Sequence, residues 1–249
     1  MTLEKSEHGI LSGNALKFMA AFFMLIDHIG VMLVDSIVLR AIGRLALPIF
    51  SYMISEGCKY TKNKLRYFLS VFSLAAICQL AYFFFANDTS MCILVTFSIS
   101  ILTVYALDFL KNAIFAFEKS ALKICIGAFL FALAIAGAII LNRFLVIEYK
   151  FWGCMLPVAV SLFHTPKENA PDIFKILDTV PFKVLILGIC LIFVTITARL
   201  GAKIQCFSFL ALPLLLLYSG KRGKLRTKYF FYIFYPLHLV VLEGISMII

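Results

Sequence analysis

The chain has 249 residues, of which 63% are hydrophobic and only 14% charged, and its mean hydropathy is +1.01. That balance excludes a water-soluble domain of ordinary composition and points to an integral membrane protein with no room for a soluble domain. The net charge of +10 does not argue for nucleic-acid binding, because the 23 basic residues fall in short clusters between apolar runs, where membrane topology accounts for them.

A bilayer core of about 30 Å calls for roughly 20 apolar residues per helix, fewer where flanking side chains snorkel. The first fourteen residues are polar, the run after them is too long for a signal peptide, and none is expected. About nine spans follow: 15–35, 37–57, 67–86, 91–108, 122–142, 151–164, 182–199, 203–219 and 228–249. The sixth and eighth are short enough to be re-entrant. Each span must satisfy its own backbone in lipid, so an all-α polytopic bundle forming a single domain over 1–249 is the expected fold.

The first span contains Lys17, Asp27 and His28. Lys17 and His28 are eleven positions apart and lie about 20° from one another on the helical wheel, with Asp27 flanking them. Adjacent residues on a helix diverge, so the partners of Asp27 and His28 must come from other helices. The second span carries Arg40 and Arg44 on one face, Pro48 one turn later, where the helix is expected to loosen, and Glu56 near its end. An Asp27–Arg44 ion pair is easy across the short hairpin, and a ligand role for Arg44 is the alternative. For Glu56 an interfacial ion pair beside the basic loop at Lys59 is the plain reading. His164 ends the sixth span beside Pro166, where a water-facing position suffices. The last span carries Tyr232, Tyr235, Pro236 and His238, with Tyr235 and His238 sharing a face. Ionisable groups in a span are costly, about 2.5–3.5 kcal/mol near its centre, and mark a pathway or a reaction site.

The segments KYTKNKLR (59–66), KNAIFAFEKSALK (111–123), TPKENAPDIFK (165–175) and SGKRGKLRTK (219–228) are basic, whereas DSIV (35–38) and ANDTS (86–90) are not. The positive-inside rule puts the basic ones in the cytoplasm, with the N-terminus inside the plasma membrane and the C-terminus outside. Arg143, Lys150, Arg199 and Lys203 lie on the outer side and weaken the bias without reversing it. The seven cysteines stand singly in or beside apolar runs, with no CxxC pair, and read as small buried hydrophobes. No glycine-rich phosphate loop, HxxxxD block or metal-ligand cluster occurs, so no metal site is expected.

Three blocks in order, SGNALKFMAAFFMLIDHIG, RAIGRLALPIFSYMISEGCKYTKNKLRYFL and KYFFYIFYPLHL, resemble the TraX family, polytopic proteins named after the F-pilin acetylase. The first two run almost without a gap from Ser12 to Leu69, and the third covers 228–239. The resemblance implies acetyl transfer from acetyl-CoA, in the type member to the amino terminus of pilin. It carries over Lys17, Asp27, His28, Arg44, Glu56, Tyr60, Tyr235 and His238 as parts of the pattern, without assigning their roles. Acyl transfer needs a base, oxyanion donors and a dry site. On that chemistry His28 is the expected base, acting directly on the acceptor or becoming acetylated itself in a two-step route, Asp27 ties a neighbouring helix through Arg44, and Arg44 or His238 donates to the oxyanion. Lys17, Glu56, Tyr60 and Tyr235 are the expected cofactor contacts. A basic entrance for CoA is expected from Lys17, Lys59, Lys62, Lys64, Arg66, Lys221, Arg222, Lys224 and Arg226. One tunnel from Lys17 to His28, about 16 Å along the helix, would link cytosolic donor to an outer peptide or small-molecule acceptor. The rival readings are a proton-coupled transporter and a non-catalytic membrane partner, such as an immunity protein for a secreted peptide. The acceptor and the oligomeric state are left open.

Overall fold

The computed structural model describes residues 9–85, 90–166, 169–198, 202–224 and 228–248. Arg199, Arg226 and most of ANDTS lie outside them. Among the described residues the chain is helical throughout, and β structure is limited to two isolated bridges, Leu11 with Tyr218 and Met91 with Ile147. The α-helices are α1 Gly13–Met32, α2 Ile37–Gly43, α3 Ala46–Tyr60, α4 Lys64–Phe85, α5 Ile93–Ile114, α6 Ala121–Phe144, α7 Lys150–Ser161, α8 Asp172–Leu177, α9 Val180–Ile196, α10 Ala202–Gln205, α11 Ala211–Leu216 and α12 Lys228–Ser246. A 3₁₀ turn, Cys206–Leu210, joins α10 to α11.

Among the described residues, four stretches are long and apolar enough to cross a membrane: α1, α2 with α3, α5 and α6. The expected spans 182–199, 203–219 and 228–249 fall on shorter apolar helices, so helix length alone does not give nine crossings. The expected span 151–164 is the 12-residue α7, about 18 Å long at 1.5 Å per residue, and it suits a helix that ends inside the bundle. Its residues from Gly153 to Ser161 are all buried.

The second expected span is broken at Arg44 and Leu45. Pro48 has no amide hydrogen for the carbonyl four residues earlier, which is that of Arg44, so the helix opens one turn before the proline rather than at it. α3 then runs through the middle of the bundle against α1, α5, α7, α9 and α11. At the other extreme α6 packs mainly on α5, with a smaller contact to α7, and its Phe129, Leu133 and Ile140 are exposed. Apolar side chains bared on this scale, also along α4, α9 and α12, mark a surface made for lipid.

Alternate connections gather at opposite ends. At one end, the amides of Gly13 and Asn14 donate to the carbonyls of Lys221 and Arg222 at 2.8 and 2.9 Å, while the Ser12 hydroxyl accepts from Ala15. The donors that open α1 are thereby satisfied, and the basic stretch 219–224 lies beside the N-terminal end of α1. At the other end the α1–α2 hairpin meets the 145–149 segment.

Candidate functional site

α1 and α12 bring two imidazoles together across 210 positions of sequence. His28 Nδ1 lies 2.9 Å from the Met24 carbonyl and 3.3 Å from His238 Nε2, and His238 Nδ1 lies 2.7 Å from the Phe234 carbonyl. A carbonyl only accepts, so in the neutral rings both Nδ1 atoms carry the hydrogen and both Nε2 atoms are bare. His238 Nε2 shares the hydrogen of His28 Nδ1. His28 Nε2 has no hydrogen-bond partner among the described residues. The ring centroids are 5.0 Å apart at 61°, and Phe234 stacks on His238 at 4.8 Å, fixing its plane.

The pair lines a narrow cleft of about 50 Å³, well below the size of a site that encloses a small molecule, so a ligand has to widen it. α1 contributes Asp27 and His28 to its wall, α12 contributes Tyr235 and His238, and the 145–149 segment contributes Glu148 and Tyr149. Apolar residues such as Leu47, Phe50 and Leu94 make most of the remaining surface, with the buried thiols of Cys78 and Cys92.

Asp27 and Arg44 form the expected ion pair, and Arg44 is 5% exposed. Gly43 makes this approach possible, since a Cβ there would overlap Asp27. The other Arg44 donors reach the Tyr149 hydroxyl at 2.9 Å and the Arg40 carbonyl at 3.3 Å. Arg44 therefore stands behind the cleft wall rather than on it, and Asp27 Oδ1 is buried without a hydrogen-bond partner among the described residues.

The four expected cofactor contacts are dispersed. Tyr235 is in the cleft, 5.7 Å from the Phe50 ring. Lys17, Glu56 and Tyr60 are not on its wall, which on α1 begins at Met24 and on α3 extends only to Phe50. The expected tunnel from Lys17 to His28 is thus not formed in this structure.

Glu56 belongs to a second polar centre. It accepts from Lys183 at 2.7 Å, and the Tyr218 hydroxyl lies 3.4 Å away. Lys183 also meets Asp178 at 2.9 Å, and Asp178 holds Lys59 at 2.6 Å. The plain ion-pair reading of Glu56 is right in kind, but its partner is a lysine on α9 and the pair is buried. His164 is 3% exposed, which overturns its expected water-facing position. Its Nε2 lies 3.2 Å from the Ser55 hydroxyl, and its carbonyl accepts from Lys111 at 3.1 Å. Lys111 also takes the Ser161 carbonyl at 2.7 Å, so a cation closes the C-terminal end of α7. Of the seven cysteines, Cys125 and Cys206 are exposed on the apolar surface rather than buried.

Sequence reasoning passed over Tyr149, Glu148, Lys111, Asp178 and Lys183. Lys183 falls within the expected span 182–199, so the rule that singled out Asp27 would have found it. Tyr149 carries no such signal.

A family model described as TraX protein matches residues 12–246. No curated protein and no solved structure matches the chain.

Proposed function

The chain belongs to the TraX family, and from that premise we propose that it is a membrane acetyltransferase that moves an acetyl group from acetyl-CoA to an amine or hydroxyl acceptor. The observation that carries this reading is the meeting of His28 and His238 over a mostly apolar cleft, with the Nε2 lone pair of His28 uncommitted. A bare imidazole nitrogen in a site poor in water is what deprotonation of an attacking nucleophile requires. His238 Nε2, hydrogen-bonded to His28 Nδ1, would stabilise the imidazolium formed when His28 takes the proton. Asp27 and Arg44 would fix the α1–α2 hairpin so that His28 keeps its aim.

Acetyl-CoA would come from the cytoplasmic side, which under the positive-inside rule is the end bearing residues 59–66 and 219–224. The N-terminus then lies inside. Donor and acceptor would meet at the cleft near the opposite end, so the route from the Lys17 end has to open when CoA binds.

Purified full-length protein in detergent, given acetyl-CoA labelled in the acetyl group, should release free CoA thiol and transfer label to a membrane component. His28→Ala should lower that rate by on the order of 100-fold or more while the protein elutes and melts as the wild type does. Full activity in this variant would remove His28 from the base role. Counterflow of a solute in liposomes without any thiol release would favour a transporter instead.

A further inference from the structure

The segment between α6 and α7 holds a part of the cleft wall in an uncommon backbone shape. Tyr149 and Lys150 both have positive φ, 59° and 53°, a region that costs a non-glycine residue on the order of 1–3 kcal/mol. Their neighbours enforce it. The Met91 amide donates to the Val146 carbonyl at 2.8 Å, the Glu148 amide to the Met91 carbonyl at 3.2 Å, and the Thr96 hydroxyl to the Glu148 carbonyl at 3.0 Å. Gly153 leaves space for Tyr149 that a Cβ would fill. The outcome is a phenol on the cleft wall with its oxygen at Arg44.

Arg44 Nη1 donates to that oxygen at 2.9 Å. A guanidinium only donates, so the Tyr149 hydroxyl is the acceptor and its own hydrogen must point elsewhere. Among the described residues no group takes that hydrogen. His28, with its bare Nε2, and Tyr149, with an O–H whose oxygen is polarised by a cation, thus line the same cleft.

We propose that Tyr149 is the oxyanion donor of the acyl transfer, and that Arg44 is a positioning residue acting through it. This rests on the acetyltransferase reading. The acceptor nitrogen or oxygen bonds to the thioester carbonyl carbon while its proton passes to His28 Nε2. The carbonyl π pair moves onto oxygen, which accepts the hydrogen bond from Tyr149. That pair then returns, the carbon–sulfur bond breaks, and the CoA thiolate leaves, taking the proton from His28. Tyr149 keeps its own proton throughout.

The test uses the purified full-length chain, acetyl-CoA as donor and CoA thiol release as the readout. Tyr149→Phe should lower kcat on the order of 100-fold and change KM for acetyl-CoA by less than about threefold. 2,3,5-Trifluorotyrosine placed at position 149 alone keeps the ring and the hydroxyl but makes the phenol more acidic. That protein should work at low pH and lose activity on the alkaline side at a pH where the wild type is still active. Wild-type kcat in Tyr149→Phe, or an unmoved alkaline limb in the fluorinated protein, overturns the assignment while leaving the acetyltransferase reading intact. A wild-type protein that releases no thiol overturns both.

Discussion

Arg44 has its charge answered by Asp27 and its remaining hydrogen bonds directed at a tyrosine hydroxyl and a backbone carbonyl. Such a planar, several-pronged use of one side chain is not open to lysine. Arg44→Lys should therefore keep the charge yet lose the Tyr149 contact, and activity should fall nearly as far as in Tyr149→Phe. Adding Tyr149→Phe to Arg44→Lys should then cost little more, because both changes remove the same support. Thiol-release kinetics on the two single variants and the double variant check this, and simple multiplication of the two losses would show that the residues act independently. The ion pair itself was legible in the sequence, since a buried carboxylate and a buried guanidinium on either side of a short hairpin have few other partners. The link from Arg44 to Tyr149 was not, because it joins residues 105 positions apart.

The break between α2 and α3 places the guanidinium. An unbroken helix would give the Arg44 carbonyl an amide donor and turn the side chain elsewhere; Pro48 withholds that donor. Pro48→Ala should allow a continuous helix across 37–60, raise the thermal midpoint, and lower thiol release at the same time. A variant with a higher midpoint and undiminished activity would show that the break does not aim Arg44. The sequence announced a disturbance at Pro48 but misplaced it by a turn, because a proline is felt at the carbonyl it fails to bond. α7 was equally marked by its shortness. Its burial against α3, α5 and α9 depends on packing that no local pattern encodes.

The molecule carries its polar groups at two levels, the cleft near the α1–α2 hairpin and the ion-pair network around Glu56. Burial works against the Asp178 carboxylate, but Lys183 and Lys59 outweigh it and hold the carboxyl well below the usual aspartate range. A carboxyl depressed in the fold stabilises it fully above the unfolded value of about 3.9 and loses that contribution as pH falls through the folded value. Asp178→Asn takes the carboxylate from Lys59 and leaves Lys183 with Glu56 alone, and should cost on the order of 3 kcal/mol at neutral pH. Melting curves should show a constant gap between the two proteins from about pH 8 to pH 5, closing as pH falls below about 4. A gap that stays open in acid would mean that the pairing of Asp178 is not what the substitution removes.

Composition alone determined the solvent, because 63% hydrophobic residues over 249 positions cannot be hidden from water by any single chain of this length. Lipid in turn leaves helices as the form in which such spans satisfy their own amides. Asp27, His28, Arg44 and His238 could be picked out because a charge or an imidazole in an apolar run stands out against its neighbours. Only the tertiary structure decided which of them meet, that the cleft stops short of Lys17, and that Tyr149 joins them. These depend on the crossing of helices and on a backbone shape after α6 enforced by contacts from Met91 and from Thr96 on α5, which hydropathy along the chain does not record.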